Sequence, residues 1–250
     1  METTIKKATK INQSITLKAL IIGFLTLILL IPGLMIQDLI RERQNRSLET
    51  IEKINNKWSN AQTFCGPVIS IPYTTTQVNP DNKTTIQEHL LNITPENLNI
   101  TTQLFPEERY YGIYKMILYK SEIDITGNFD KINFPKPENS IIHWEQAYLS
   151  IGVSDLRGIT ENIDFKLDNK QLSVEATGNL DTQIGKMLVM PLKNTDPLLF
   201  SQPQTFNCKL KLNGSSNINF IPIGKTTKVH VTGNWKSPGF IGNFSPEHHI

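Results

Sequence analysis

One apolar run near the N-terminus constrains this chain more than any other feature. Residues 19–40 form 22 consecutive residues with a single charge, Asp38, near the far end. A helix needs about 20 apolar residues to cross a hydrocarbon core of about 30 Å, because each residue adds about 1.5 Å. The run therefore predicts a transmembrane helix over residues 19–40, with the lipid bilayer as its partner.

A cleaved signal peptide is the first alternative for this run. The apolar core of a signal spans about 7–15 residues and ends at a small-residue cleavage site, whereas this run continues through Ile40 into Arg41 without an Ala-x-Ala site. A buried core helix is the second alternative, and it is usually shorter and more charged. Pro32 and Gly33 would bend a soluble helix, but a membrane helix tolerates them because the freed carbonyl is satisfied locally. These points favour an uncleaved anchor.

The charges that flank the run hardly distinguish its two orientations. Four lysines precede it and three arginines follow it closely: Lys6, Lys7, Lys10 and Lys18, then Arg41, Arg43 and Arg46. This is nearly a tie under the positive-inside rule, and long domains translocate with little regard to charge. Because the short tail is the easier part to leave inside, we expect residues 1–18 in the cytoplasm and the bulk of the chain outside.

Composition excludes one class of partner and leaves the state of the cysteines open. With 25 basic and 23 acidic side chains the chain carries a net charge of +2, so no basic surface for nucleic acid is expected. The two cysteines, Cys65 and Cys208, allow one disulfide in an exported domain, or two small buried thiols.

Helical spacing continues beyond the apolar run and then gives way to a period of two. Residues 41–60 predict a juxtamembrane helix that ends before Gly66-Pro67, and two pairs of opposite charge at i and i+4 support it: Glu42 with Arg46, and Glu49 with Lys53. Residues 61–250 are then expected to form a β-rich extracytoplasmic domain, either single or divided into two sub-domains.

Alternation of apolar and polar residues identifies most of the strands. Four segments show it: 117–125 in its second half, 147–154, 206–213 and 229–232. Residues 68–73 predict a further strand that ends at a proline. Turn signals separate them at 79–82, 94–95, 135–137, 168–169 and 213–214. Alternation of this kind is typical of sheets with one buried and one wet face. The sequence therefore predicts a mainly β fold, an antiparallel β-sandwich preceded by one transmembrane helix.

Catalytic and cofactor motifs were sought and not found. The sequence has no phosphate-binding glycine loop, nucleophile elbow, Ser-x-x-Lys or Cys-x-x-Cys, and its histidines lack metal-ligand spacing. We therefore expect no catalytic residue, no cofactor and no metal. An alternative is a membrane-tethered cell-wall hydrolase that uses His143, Glu145 and Asp155, the first two sharing one face of a strand.

The most distinctive local sequence is Ser154-Asp155-Leu156-Arg157-Gly158-Ile159, directly after a strong strand. Asp155 and Arg157 flank a leucine, and Gly158 permits positive φ. The segment is either a partner-binding corner or a structural one, in which Asp155 caps the turn and Arg157 bridges to a neighbouring strand.

Seven further segments stand out in order after the apolar run: Ile40–Gln44, Gly66–Tyr73, Arg109–Tyr114, Trp144–Leu149, Ser154–Ile159, Phe220–Lys225 and Asn234–Pro246. Together they resemble the CreD family of bacterial inner-membrane proteins, which is associated with cell-envelope integrity. The resemblance implies an inner-membrane anchor, a periplasmic β-domain and a C-terminal cluster of transmembrane helices. It supplies no catalytic residue. We expect the β-domain to contact other envelope proteins.

The sequence departs from the family at its C-terminal side, because no second apolar run occurs before Ile250. We expect from this a truncated or split member, whose partner is a separately encoded C-terminal membrane half, or a non-functional remnant.

Overall fold

A computed structural model describes residues 15–55, 58–78, 81, 84–132, 134, 137–182, 185–192, 200–235 and 238–242. Most of the predicted cytoplasmic tail, and parts of the predicted turns at 79–82 and 135–137, lie outside these residues. The chain divides into two compact units, Met1–Glu52 and Lys53–Ile250.

The first unit is built on one long helix, α1, which covers Ile15–Asn55 and contains Pro32. Its stretch Leu17–Thr50 is long and apolar enough to span a membrane, and the apolar side chains there are exposed. The hydroxyl of Thr26 donates to the carbonyl of Ile22 at 2.8 Å, which satisfies the one hydroxyl within the apolar run. The predicted apolar helix is confirmed.

Thirteen strands form the second unit, as far as the structure describes it. They are β1 (Gln62–Val78), β2 (Thr84–Ile93), β3 (Asn97–Tyr111), β4 (Tyr114–Phe129), β5 (Ser140–Ile142), β6 (Tyr148–Val153), β7 (Asp164–Leu167), β8 (Lys170–Leu172), β9 (Glu175–Thr182), β10 (Gly185–Pro191), β11 (Gln204–Ser215), β12 (Ile218–Ile221) and β13 (Thr226–Gly233). The first sheet has the order β12-β1-β6-β10-β9, with β2 and β5 also paired to β1. The second has the order β13-β3-β4-β11-β7-β8.

The two sheets share one hydrophobic core. Along β11 the side chains of Phe206, Cys208, Leu210 and Leu212 are buried while the residues between them are exposed, as the alternation predicts. The same core contains Ile69, Leu149 and Met190 of the first sheet and Ile100, Ile125 and Phe165 of the second. The predicted mainly β fold of antiparallel sheets is therefore confirmed, and its two sheets pack as a sandwich.

The boundary between helix and strand and the direction of two strands differ from expectation. Helix α1 ends at Asn55, and Gly66-Pro67 lies inside β1, at a shift of register between Cys65 and Val68 where β1 meets β6. A proline is tolerated at such a bulge because the ladder needs no N–H there. The short strands β12 and β13 pair in parallel with β1 and β3, whereas the other ladders are antiparallel among the described strands.

The cysteines take the second of their two predicted states. Cys65 on β1 and Cys208 on β11 are buried free thiols in different sheets, so the structure contains no bridge between them. Burial raises the pKa of the Cys65 thiol, and it raises that of Cys208 to about 12, with smaller contributions from Asp164 and Asp124. Both thiols therefore stay protonated and unreactive at neutral pH.

Candidate functional site

Asp155 caps the turn that follows β6, as one of the two sequence interpretations required. Its carboxylate accepts from the backbone N–H of Arg157 at 3.1 Å and from that of Asn60 at 3.1 Å. The guanidinium of Arg157 approaches the same carboxylate in bidentate fashion, with Nε at 2.9 Å from Oδ1 and Nη2 at 2.6 Å from Oδ2. The Asp155 side chain is only 10% exposed. The pair thus fixes the loop after β6 to the chain that enters the sandwich.

The electrostatics of this corner follow from these bonds. Hydrogen bonding by the Arg157 side chain, opposed by partial burial and aided by the Asn60 and Arg157 backbone N–H groups, lowers the pKa of Asp155 to about 2. The carboxylate is consequently ionised at any physiological pH. A general acid or base needs a pKa near the working pH, so this residue is suited to holding structure and not to proton transfer.

Gln62, the first residue of β1, is the centre of the corner. It is fully buried, and its amide nitrogen lies 2.6 Å from the Ser59 hydroxyl, 3.1 Å from the Asp155 carbonyl and 3.0 Å from the Asn213 carbonyl. Its amide oxygen accepts from the Ser154 hydroxyl at 3.2 Å and the Asp155 N–H at 3.3 Å. We call the set Ser59, Gln62, Asp155, Gly158 and Asn213 the Gln62 junction.

Gly158 is required by space, and it does not use the positive φ that glycine permits. Its φ is not in the left-handed region, but an added Cβ would lie 2.3 Å from the Asn213 carbonyl oxygen and 2.5 Å from the Gln62 amide nitrogen. Gly214 is confined in the same way, since its Cβ would meet the Tyr119 hydroxyl at 2.2 Å. Glycine at both positions allows the loop after β6 and the end of β11 to approach the Gln62 amide.

The junction therefore joins three chain segments at one end of the sandwich: residues 59–62, the loop after β6 and the end of β11. Sequence reasoning found Asp155, Arg157 and Gly158 but missed Ser59 and Gln62. Gln62 bonds to partners 93 and 151 residues away along the chain, and no local sequence pattern predicts such contacts. Chemically, the arrangement fixes backbone carbonyls and N–H groups in place. The cap by Asp155 is present as the structural interpretation described it, whereas a bridge from Arg157 to a neighbouring strand and the binding of a partner stay predictions.

His143 and Glu145 lie elsewhere, and not on a strand as expected. They flank the start of a 3₁₀ helix at Trp144–Gln146, where His143 Nδ1 is 3.5 Å from Glu145 Oε1 and Nε2 is 3.2 Å from the Thr74 hydroxyl. Strand β6 runs between this turn and Asp155, and its six residues span about 17 Å. The structure therefore does not bring His143, Glu145 and Asp155 together as a hydrolase would require.

Aromatic packing fixes the position of the turn at His143 against the core. The Trp144 ring stacks on Phe200 with centroids 5.4 Å apart, and Phe134 meets it edge-on at 6.3 Å. Phe200 is 2% exposed, so Trp144 attaches the turn to the core. Across the residues that the structure describes, no group of three or more His, Cys, Asp or Glu side chains is placed to hold a metal ion.

Acid denaturation is expected to reveal the Asp155 cap. The folded pKa of about 2 lies below the ordinary value of 3.8, so the stabilisation is complete above about pH 4 and is lost as the pH falls towards 2. From pH 5 to pH 2, the wild-type chain should lose about 2 kcal/mol more unfolding free energy than Asp155→Asn. Urea titrations of the detergent-solubilised chain measure this by tryptophan fluorescence, since Trp58, Trp144 and Trp235 all lie in the β-rich unit.

Asp164→Asn is the matched control for this titration, because the Asp164 side chain is 44% exposed and pairs loosely with Lys166 at 3.8 Å. It should follow the wild-type pH dependence. Equal pH dependence in wild type and Asp155→Asn would contradict the assigned role of the cap.

Fold and junction together define a class: a β-sandwich whose chain follows an N-terminal helix that is apolar and long enough to span a membrane. The family described as inner membrane protein CreD matches residues 14–250. This chain belongs to the CreD family, as its motifs indicated.

A curated relative gives the extent of the likeness. The chain is 28% identical over 223 residues to the inner membrane protein CreD of Escherichia coli (strain K12), an alignment that covers 88% of this chain and 49% of the relative. The chain thus spans about half the length of that relative. No solved structure matches it.

Proposed function

We propose that the chain is a non-enzymatic protein of the bacterial inner membrane that supports cell-envelope integrity through an external β-sandwich. Its single N-terminal span covers residues 19–40, the N-terminus lies in the cytoplasm, and the β-rich unit lies outside. The observation that carries the proposal is the exposed apolar stretch of α1 in a chain of the CreD family.

The described part of the sandwich supports a role in contact rather than catalysis. Asp155 is ionised and saturated with hydrogen bonds at the Gln62 junction, and it lies a strand length from His143 and Glu145. The geometry therefore gives no support to the alternative of a cell-wall hydrolase. The partners we propose are the lipid bilayer and other envelope proteins.

Complementation in cells that lack this gene tests the proposed role. We expect the wild-type chain to restore survival under detergent or osmotic stress, and the triple variant His143→Ala, Glu145→Ala, Asp155→Asn to restore it equally when expressed at the same level. Asp155 is changed to asparagine here because its one amide oxygen can still accept from the Arg157 backbone N–H, and matched expression controls for the bonds that Oδ2 loses. Loss of rescue by the triple variant at normal abundance would favour the hydrolase, and no rescue by the wild type would refute the envelope role.

Topology and partners are measured on the same strains. A reporter that is active only outside the cytoplasm, fused after residue 235, should be active, and the same reporter before residue 15 should be inactive. The reversed result would refute the proposed orientation. Cross-linking in intact cells, followed by purification of the chain in detergent, identifies the envelope proteins that it contacts.

A further inference from the structure

Strands β3 and β4 continue as a two-stranded ribbon beyond the rest of their sheet. They pair with each other from Asn97–Asn128 to Tyr111–Tyr114, but β13 accompanies β3 only as far as Leu104, and β11 accompanies β4 only as far as Leu118. Met116 is 6% exposed, so the base of the ribbon is covered. The ribbon tip is therefore residues 110–115, with the turn at Gly112 and Ile113.

The ribbon projects from the same end of the sandwich as the Gln62 junction. Ser215, the last residue of β11, donates its N–H to the carbonyl of Asn60 at 3.3 Å, and Ser216 donates to that of Ile117 at 3.0 Å. Residue 60 and the base of the ribbon are thus neighbours across the end of β11. In the chain, this end of the sandwich is the one that follows the apolar helix, because residue 60 comes soon after the end of α1 at Asn55.

The surface of the tip is apolar and aromatic, with balanced charge. Ile113 is 84% and Tyr110 is 66% exposed, so both present apolar surface at the tip. The two basic residues nearby are each paired with an acid: Arg109 with Glu107 at 2.7 Å and Lys115 with Glu108 at 2.6 Å. The tip thus has no excess charge with which to attract an oppositely charged protein or an anionic lipid.

We propose that the ribbon tip inserts into the headgroup and acyl boundary of the membrane that holds the anchor. Tyrosine favours this boundary because its ring is apolar and its hydroxyl remains wet, and isoleucine gains from leaving water. The proposal rests on the membrane anchoring proposed above and adds a second, lipid-specific contact of the sandwich.

The proposed contact sets a requirement on distance. From Leu118 to Ile113 the ribbon extends about 16 Å beyond the last pairing of β11. The proposal therefore requires this end of the sandwich to lie within about that distance of the headgroup boundary.

A fluorophore on the tip of the full-length chain tests the proposal. Ile113→Cys is labelled with a polarity-sensitive nitrobenzoxadiazole. The native cysteines are buried, and a parallel preparation that carries Cys65→Ser and Cys208→Ala excludes labelling at those positions. The labelled chain is placed in nanodiscs of phosphatidylcholine, with or without nitroxide-bearing lipids. Asn169→Cys is the matched control, because Asn169 is exposed in the turn whose Asp168 N–H donates to the Thr205 carbonyl, at the end of β11 opposite to the ribbon. Thr205 and Ser215 alone lie about 33 Å apart along β11, and the ribbon tip is farther still.

We expect the label at position 113 to shift its emission to the blue and to be quenched by nitroxides near the headgroups, whereas the label at 169 stays as in water. Adding Tyr110→Ser should reduce both effects. Because the tip is neutral, quenching should be the same with and without phosphatidylglycerol. An unshifted, unquenched label at 113 would overturn the proposal, and so would quenching that requires anionic lipid.

Failure of the anchor is distinguishable from failure of the ribbon contact. If the apolar helix is not a span, the chain does not enter the nanodiscs, and neither label shows a blue shift or quenching by the lipids. If the chain enters and only the tip label remains in water, the anchoring stands and the lipid contact of the ribbon is refuted. Protection of the label by a co-purified protein instead of lipid would also refute it.

Discussion

Two arginines in the middle of the apolar helix, Leu27→Arg with Leu30→Arg, are expected to keep the chain out of the membrane. Each arginine near the centre of a span costs about 3 kcal/mol of apparent insertion free energy, and each also replaces a favourable leucine, so the pair costs about 6 kcal/mol or more. We expect the wild-type chain to stay with membranes after alkaline carbonate extraction and to float with them in a sucrose gradient, and the double variant to do neither.

Leu48→Arg is the matched control for the anchor. Leu48 belongs to the same helix α1 and is 58% exposed, a value close to the 66% and 52% of Leu27 and Leu30, but it lies beyond residue 40. This variant should extract and float like the wild type. Membrane retention of the double variant would contradict an anchor over residues 19–40, and release of Leu48→Arg would move the anchor towards the C-terminal part of the helix.

The elements of this fold were predictable wherever a local pattern determines them. The apolar run gave the helix, and strict alternation located β4, β6, β11 and β13, because burial of one face forces a period of two on the sequence. The i to i+4 pair of Glu42 and Arg46 also forms, at 2.6 Å. Each of these features depends on residues within a few positions of each other.

Pairing between distant segments was not predictable, and the junction depends on it. Nothing near Pro72 shows that β1 continues to Val78, because β2 and β5 support that part of it from elsewhere in the chain. Gly158 is glycine because of Asn213 and Gln62, which are distant in sequence. Asp155 was found because an aspartate next to a turn has a local role, whereas the role of Gln62 exists only once three segments have come together.

Replacement of Gln62 by glutamate is expected to be the most damaging single change in the sandwich. The amide nitrogen that lies 3.1 Å from the Asp155 carbonyl and 3.0 Å from that of Asn213 would become an oxygen facing two acceptors, in a fully buried place. Burying an unpaired carboxylate and losing these hydrogen bonds should together lower the free energy of unfolding by about 4 kcal/mol. Urea titration of the detergent-solubilised chain at pH 7, followed by tryptophan fluorescence, measures the loss.

The pH dependence of Gln62→Glu separates a buried charge from simple loss of fit. Burial among acceptors raises the pKa of the introduced carboxyl above its ordinary value of about 4.3, so protonation favours the folded state. The penalty relative to wild type should therefore be full at pH 7 and smaller at pH 5, where Asp155, with its pKa of about 2, is still ionised and does not interfere. Gln87→Glu, on the exposed face of β2, is the control and should stay within about 0.5 kcal/mol of wild type at both pH values. Equal stability of Gln62→Glu and Gln87→Glu at pH 7 would show that the Gln62 amide does not hold the three segments together, and a penalty independent of pH would show that the introduced group remains in contact with water.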